Sequence, residues 1–230
     1  MSGVLEGIFW LVLTIGLYWL AREFQRRLNG HPAASPVLIA AAILIGLLLL
    51  GGRSYEAYRP AGSVLLWFLG PGTVALAVPL YLNFAQVRSA LLPLTVALVL
   101  GSATAAGSAV MIAWALGATP EIVSTLAPKS VTTPIAMAVA SEIGGIPALA
   151  AALVILTGGI GAVCGSAVFN VLGVRDPRAR GFAMGTAAHG MGTARAFQVS
   201  FVAGTFSGVA MTLNAILTAI ALPLIWLFFK

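Results

Sequence analysis

The chain has 230 residues, of which 60% are hydrophobic and 8% charged, with mean hydropathy +1.04. A soluble domain covers its surface with roughly 25% charged residues, so this composition takes lipid as its solvent. Twelve basic residues against six acidic ones give +6; they lie between apolar runs, where they meet phospholipid headgroups, and a nucleic-acid partner is excluded.

The apolar runs are long and unbroken, as from Val37 to Leu50 and from Ile146 to Leu156, which favours helices over the short alternating strands of a membrane barrel. A first span is expected over about 4–21. Glu6 precedes its apolar run, "REFQRR" follows it and no small-residue cleavage site intervenes, so it is expected to be a retained helix rather than a signal peptide. A second span, about 35–51, lies beyond the basic, proline-containing "RRLNGHPAASP". After residue 60 the pattern changes. Three elements carry breakers or hydroxyls where a plain span carries Leu, over about 62–88, 119–141 and 178–196, and each precedes a plain run, over about 90–117, 146–172 and 198–228. The expected fold is all-α and polytopic, with about five plain transmembrane helices and three broken or re-entrant elements. Cys164, the single cysteine, has no partner for a disulfide or thiolate metal site within one chain.

The irregular elements resemble one another. "GPGTVALAVPLY" carries Pro-Gly-Thr-Val from Pro71, and "APKSVTTPIAM" carries Pro-Lys-Ser-Val from Pro128, 57 residues later. Downstream, "GSAVMIAWALG" (107–117) aligns with "GSAVFNVLG" (165–173), and "MGTAAHGMGTA" begins at Met184, 56 residues after Pro128. A single transmembrane domain, 1–230, is therefore expected to hold two leading helices (1–60) and units over 61–117, 118–174 and, as a third copy, 175–230. Repeats with Pro/Gly-interrupted segments point to the binding site of a secondary transporter. If each broken element crosses the membrane the copies are parallel; if each turns back as a hairpin, neighbouring copies are inverted. The sequence leaves both open.

Pro128 and Pro134 remove backbone donors and disfavour helix just before them, and freed backbone groups at membrane depth require a protein or water-lined cavity. A helix restarting near Ser130 would turn free N–H groups toward that cavity, and Lys129 adds a full positive charge. Such a site suits a small carboxylate, with Ser130, Thr132 and Thr133 as hydroxyl donors and Thr73 at the position matching Ser130 in the first element. An intramembrane lysine is functional by default; the plain alternative is snorkelling to headgroups. His189 lies among Gly185, Gly190 and Gly192 with Thr186, Thr193 and Arg195 close in sequence, a setting for anion contact or a proton relay, or for a packed imidazole between small-residue helices. Glu142, at the end of the second broken element, is the other proton-coupling candidate, or is simply solvated at an interface. The only other histidine is His31, so no metal set forms; the upstream glycine of a phosphate loop is missing before "PKS". No cofactor is expected.

The run "PKSVTTPIAMAVASEIGGIPALAAALVILTGGIGAVCG", followed by "ARGFAMGTAAHGMGTARA" and preceded by "GPGTVALAVPLY", resembles the LrgB/CidB family, whose plant relatives include the plastid glycolate/glycerate translocator. The likeness covers the chain from about residue 35 onward. Three departures stand out: Leu82, Gln198 and Ala203 occupy positions where the family pattern often carries charged residues, which weakens any coupling scheme built on those carboxylates. The resemblance implies a multi-pass protein of the bacterial inner membrane, working beside a small LrgA/CidA-type membrane protein. A homodimer is expected. The function it suggests is a carrier of small monocarboxylates such as glycolate, glycerate, pyruvate or lactate; the alternative is a holin/antiholin-like regulator of murein hydrolase activity and lysis. An enzyme is not expected, because the sequence holds no paired Asp, Ser/His arrangement or metal set.

Overall fold

The computed structural model describes residues 2–75 and 77–228, and every regular element among them is a helix. The side chain of Thr73 and the whole of Lys230 lie outside the described residues. The plain runs fold as expected: α1 (Ser2–Arg27), α2 (Pro36–Leu50), α6 (Leu91–Ala115), α9 (Pro147–Val171) and α11 (Phe201–Trp226). Four of these five are long and apolar enough to cross a bilayer, and α2 is a shorter apolar helix. The 25 residues of α6 or α9 extend about 37 Å, against roughly 30 Å of hydrocarbon. The chain is a polytopic helical membrane protein.

Its residues form two compact units, 1–77 and 78–230. In the first, α1 packs on α2 and on α3 (Tyr55–Ala75) around Trp10, Leu44 and Ala61. Arg53 pairs with Glu6 at 3.2 Å, and Pro71 falls inside α3. Two short helices follow, α4 (Ala77–Leu82) and α5 (Phe84–Ser89).

The second unit carries the two other irregular elements, and both are re-entrant hairpins. After α6 the chain forms α7 (Pro120–Leu126), breaks, and forms α8 (Thr133–Glu142). Thr119 caps α7 by accepting from Ile122 N–H, and Pro120 and Pro134 stand in first turns, where a missing N–H costs nothing. The restart falls at Thr133, three residues beyond Ser130, because Pro134 needs a first-turn position. Beyond α8, the N–H of Ile146 donates to Thr125 Oγ1 at 2.8 Å, and a Cβ on Gly145 would stand 2.8 Å from Thr125 N. In a continuous crossing the ten residues of α8 would separate these groups by about 15 Å. Ala127 likewise clusters with Val139 and Ile143. The chain therefore enters along α7, turns over 127–132 and leaves along α8.

The third element, α10 (Pro177–Val199), turns back at Ala188 (φ −128°, ψ 17°) and His189 (φ 41°, ψ −133°). Its first arm, 177–187, runs beside α11 so closely that a Cβ on Gly181 or Gly185 would stand 2.0 Å from the carbonyl oxygen of Ala203 or Ser207. Glycine is obligatory at both. The second arm, 190–199, returns along the same stretch of α11: Thr193 Oγ1 lies 2.9 Å from Ser207 Oγ, and the Phe197 ring packs against Gly204. Gly185 and Thr193 thus both meet Ser207, although eight residues of straight helix would hold them about 12 Å apart.

The hairpins enter from opposite sides. The first arm of α10 runs antiparallel to α9, with Gly165 against Met184, Gly161 against Ala188 and Gly158 against His189. α6 runs parallel to α11, since Leu98 meets Ala210 and Ser102 donates to Asn214. Following the chain, α6 crosses, α7–α8 dips back in from the side where α6 ends, α9 recrosses, α10 dips in from the side where α9 ends, and α11 crosses again. Each hairpin-plus-helix pair is thus inverted relative to the next. α6 and α9 also end alike, on Leu116-Gly117 and Leu172-Gly173, with both glycines at positive φ (75° and 68°) closing the last turn.

Candidate functional site

The two hairpin tips converge on α9. His189, buried at the tip of α10, makes a 2.9 Å hydrogen bond from Nε2 to Val154 O; a carbonyl oxygen only accepts, so Nε2 carries the proton. The buried Val131 of the first tip packs on the Val154 side chain. His189 pays for its position with a backbone conformation that L-residues rarely adopt, worth about 1–3 kcal/mol of strain, and the bond to Val154 helps hold it there.

Beside these tips lies a cavity of about 1060 Å³, walled by α6, the first hairpin tip, α9 and the first arm of α10. Its polar end is formed by Lys129 and Ser130 with Thr104 and Ser108 of α6, Thr157 of α9 and Thr186 of α10. Thr104 and Ser108 stand one turn apart on the same helix face. Lys129 is half-buried, and its Nζ donates to Ser130 Oγ at 3.3 Å. Among the described residues no carboxylate pairs with it; the ion pairs there all involve arginine. Thr186 spends its hydroxyl proton on Phe182 O. At the other end of the cavity stand Asp176 and Arg178. Asp176 caps α10 by accepting from Arg178 N–H at 2.8 Å and also receives the guanidinium, at 2.6 Å from Nη2. That side-chain bond holds the Asp176 carboxyl below the usual carboxylate range.

Of the residues singled out from sequence, Lys129, Ser130 and Thr186 come together on this wall. The others lie elsewhere. Thr132 stands at the N-cap position of α8 without a side-chain capping bond and Thr133 opens the helix, both half-buried and off the cavity lining. Thr193 is buried between His189 O and Ser207. Gly190 follows the tip of the hairpin, and Arg195 donates to Gln198 Oε1 at 3.0 Å. Glu142 is exposed at the end of α8, roughly 14 Å along the helix from Thr133. Thr104, Ser108, Thr157 and Arg178 were not singled out from sequence. A signal for the first two exists in the sequence: with Ala97 and Gly101 they recur at spacings of four, three and four residues along α6, a small and hydroxylated stripe on one face of an otherwise apolar helix.

A half-buried ammonium with hydroxyls around it, at the tip of a hairpin, can compensate an anion's charge and donate hydrogen bonds to it. Among the described residues no His/Cys/Asp/Glu cluster has metal-binding geometry. These features define the chain as a polytopic membrane protein with paired re-entrant hairpins and a lysine-bearing intramembrane cavity. The profile of the LrgB-like family matches residues 14–228, and the chain belongs to that family. It is 42% identical over 217 residues to the uncharacterized protein YwbG of Bacillus subtilis, covering 94% of this chain and 96% of that protein. Over 229 residues, covering the full length of both, it is 30% identical to the holin-like protein CidB of Staphylococcus epidermidis. An uncharacterized protein of Haemophilus influenzae is 33% identical over 214 residues, 93% of this chain and 92% of the other. No solved structure matches.

Proposed function

We propose that the chain is a secondary transporter of small monocarboxylates of the bacterial inner membrane, with glycolate, glycerate, pyruvate and lactate as the substrates to try first. The observation that carries this reading is Lys129: an ammonium on the cavity wall with no carboxylate partner among the described residues. A partly desolvated charge of this kind is costly unless compensated, and a substrate carboxylate compensates it. Ser130, Thr104, Ser108 and Thr157 supply donors for the second carboxylate oxygen and for a hydroxyl or keto group. Inverted hairpins give alternating access a physical basis, because movement of either tip against α9 opens the site to one side alone.

Protons are proposed to travel through His189, which takes a second proton at Nδ1, with Glu142 as the other candidate. His189→Gln is then expected to keep anion exchange and lose stimulation by an inward proton gradient, whereas that loss in Glu142→Gln instead assigns the proton to Glu142. The Staphylococcus epidermidis relative is named holin-like, which favours a second reading, a regulator of lysis acting with a small CidA/LrgA-like membrane partner, and a homodimer is compatible with both.

The test is uptake of labelled glycolate, pyruvate and lactate by purified protein in liposomes, with and without a proton gradient. Saturable uptake that disappears in Lys129→Gln supports the carrier. Unsaturable leakage of unrelated solutes of similar size supports the holin-like reading instead.

A further inference from the structure

The hydroxyl-rich end accounts for only part of the cavity. Between it and the Asp176–Arg178 end, the walls are Pro93, Leu94, Ala97, Ile160, Phe182 and Ala183, none of which offers a side-chain hydrogen bond. The wall is long: Pro93 and Thr104, both on it and both on α6, are 11 residues apart on one helix, or about 16 Å. A two- or three-carbon hydroxy acid held at Lys129 is too short to extend along it. The far end also offers no second anion site, since Arg178 is already engaged by Asp176 at 2.6 Å with a second contact from Nε.

We infer that the cavity is built for monocarboxylates with a hydrocarbon body of several carbons, linear or branched, whose carboxylate meets Lys129 and Ser130 while the body lies along the apolar faces of α6 and α10. This inference rests on the carboxylate reading of Lys129 and names the substrate class within it. Burial of each added methylene favours binding about fourfold, so four methylenes separate hexanoate from acetate by up to about 200-fold. A dianion of similar length gains less, because its distal carboxylate replaces apolar contact and finds Arg178 already paired.

The experiment is calorimetric titration of the full-length protein in detergent micelles with acetate, butyrate, hexanoate and adipate, using Lys129→Gln protein in the same micelles as the blank for partitioning into detergent. The expected result is a rise in affinity from acetate to hexanoate of at least tenfold, adipate at least tenfold weaker than hexanoate, and a hexanoate-to-acetate ratio cut severalfold or more by Ala183→Leu, which fills the apolar stretch. Acetate and hexanoate binding equally well overturns the inference and leaves the carboxylate site standing, as does a ratio untouched by Ala183→Leu. If none of the four acids binds above the blank, the carboxylate reading falls and this inference with it.

Discussion

Replacing Lys129 by Met separates function from folding, because the two respond with opposite sign. The side chain is half-buried and donates to the Ser130 hydroxyl at 3.3 Å, so the protein without substrate bears the cost of a partly desolvated charge and recovers little of it. Full burial of an unpaired ion costs several kcal/mol; solvent screening of a half-exposed group reduces this to about 1–2 kcal/mol. Met keeps the length of the unbranched stem and removes the charge. Lys129→Met is therefore expected to melt about 2–8 °C higher than the wild type in micelles. Uptake responds the other way: a charge-assisted hydrogen bond to carboxylate is worth about 1.5–3 kcal/mol, so apparent affinity falls by about 10- to 150-fold. Lys129→Arg keeps the charge but brings a planar fork in place of a compact ammonium, and is expected to fall between the two. The assays are a thermal melt of purified protein and initial rates of labelled pyruvate uptake over a range of concentrations. A Lys129→Met protein that melts lower than the wild type and takes up pyruvate normally refutes the reasoning, since the ammonium is then a structural contact.

Three further predictions bear on the fold that builds the site. Met184 and Ala196 share a cluster with Ala203, so Met184→Cys with Ala196→Cys, in a Cys164→Ser background, is expected to form a disulfide under mild oxidation; a straight α10 would hold them about 18 Å apart, and failure to cross-link in folded protein counts against the hairpin. Thr125 is fully buried and accepts from Ile146 N–H, so Thr125→Val leaves that donor unpaired and is expected to cost about 1–3 kcal/mol, seen as a lower melting temperature with the cavity lining intact. Asp176 is held ionised by Arg178; a depressed carboxyl contributes its stabilisation above the ordinary pKa of about 4 and loses it only as pH falls through the lowered value, so the melting temperatures of wild type and Asp176→Asn are expected to differ by a constant amount from pH 5 to pH 8, and a step inside that window contradicts the assignment.

Much of this architecture was legible because lipid imposes strong patterning. The five plain helices followed from their apolar runs, and Pro128 and Pro134 announced a break between α7 and α8 through their missing donors. The direction of the hairpins was not legible. Whether a broken helix crosses or turns back depends on contacts such as Ile146 with Thr125, between residues 21 apart, which leave no trace in local hydropathy. The turn of α10 was harder still, since it falls at Ala188–His189 without a proline, held by tertiary packing against α9 and by the His189 bond to Val154. The glycines near it proved to serve close approach: Gly158 and Gly161 admit the tip, and Gly181 and Gly185 admit α11. The cavity was legible at Lys129 and Ser130, whose chemistry is conspicuous in an apolar chain. Thr104, Ser108 and Thr157 sit inside plain spans, where a hydroxyl often bonds its own helix, and only the meeting of α6, α9 and the hairpin tip brings them to one wall.

The carrier reading is tested most directly by counterflow: purified protein in liposomes loaded with unlabelled pyruvate, with labelled pyruvate added outside at trace concentration. A site exposed to one side at a time returns faster when loaded, so transient accumulation of label above its equilibrium level is predicted, saturating with internal pyruvate and absent in Lys129→Gln. Label that enters at a rate independent of internal pyruvate and never exceeds equilibrium contradicts the account and describes a pore.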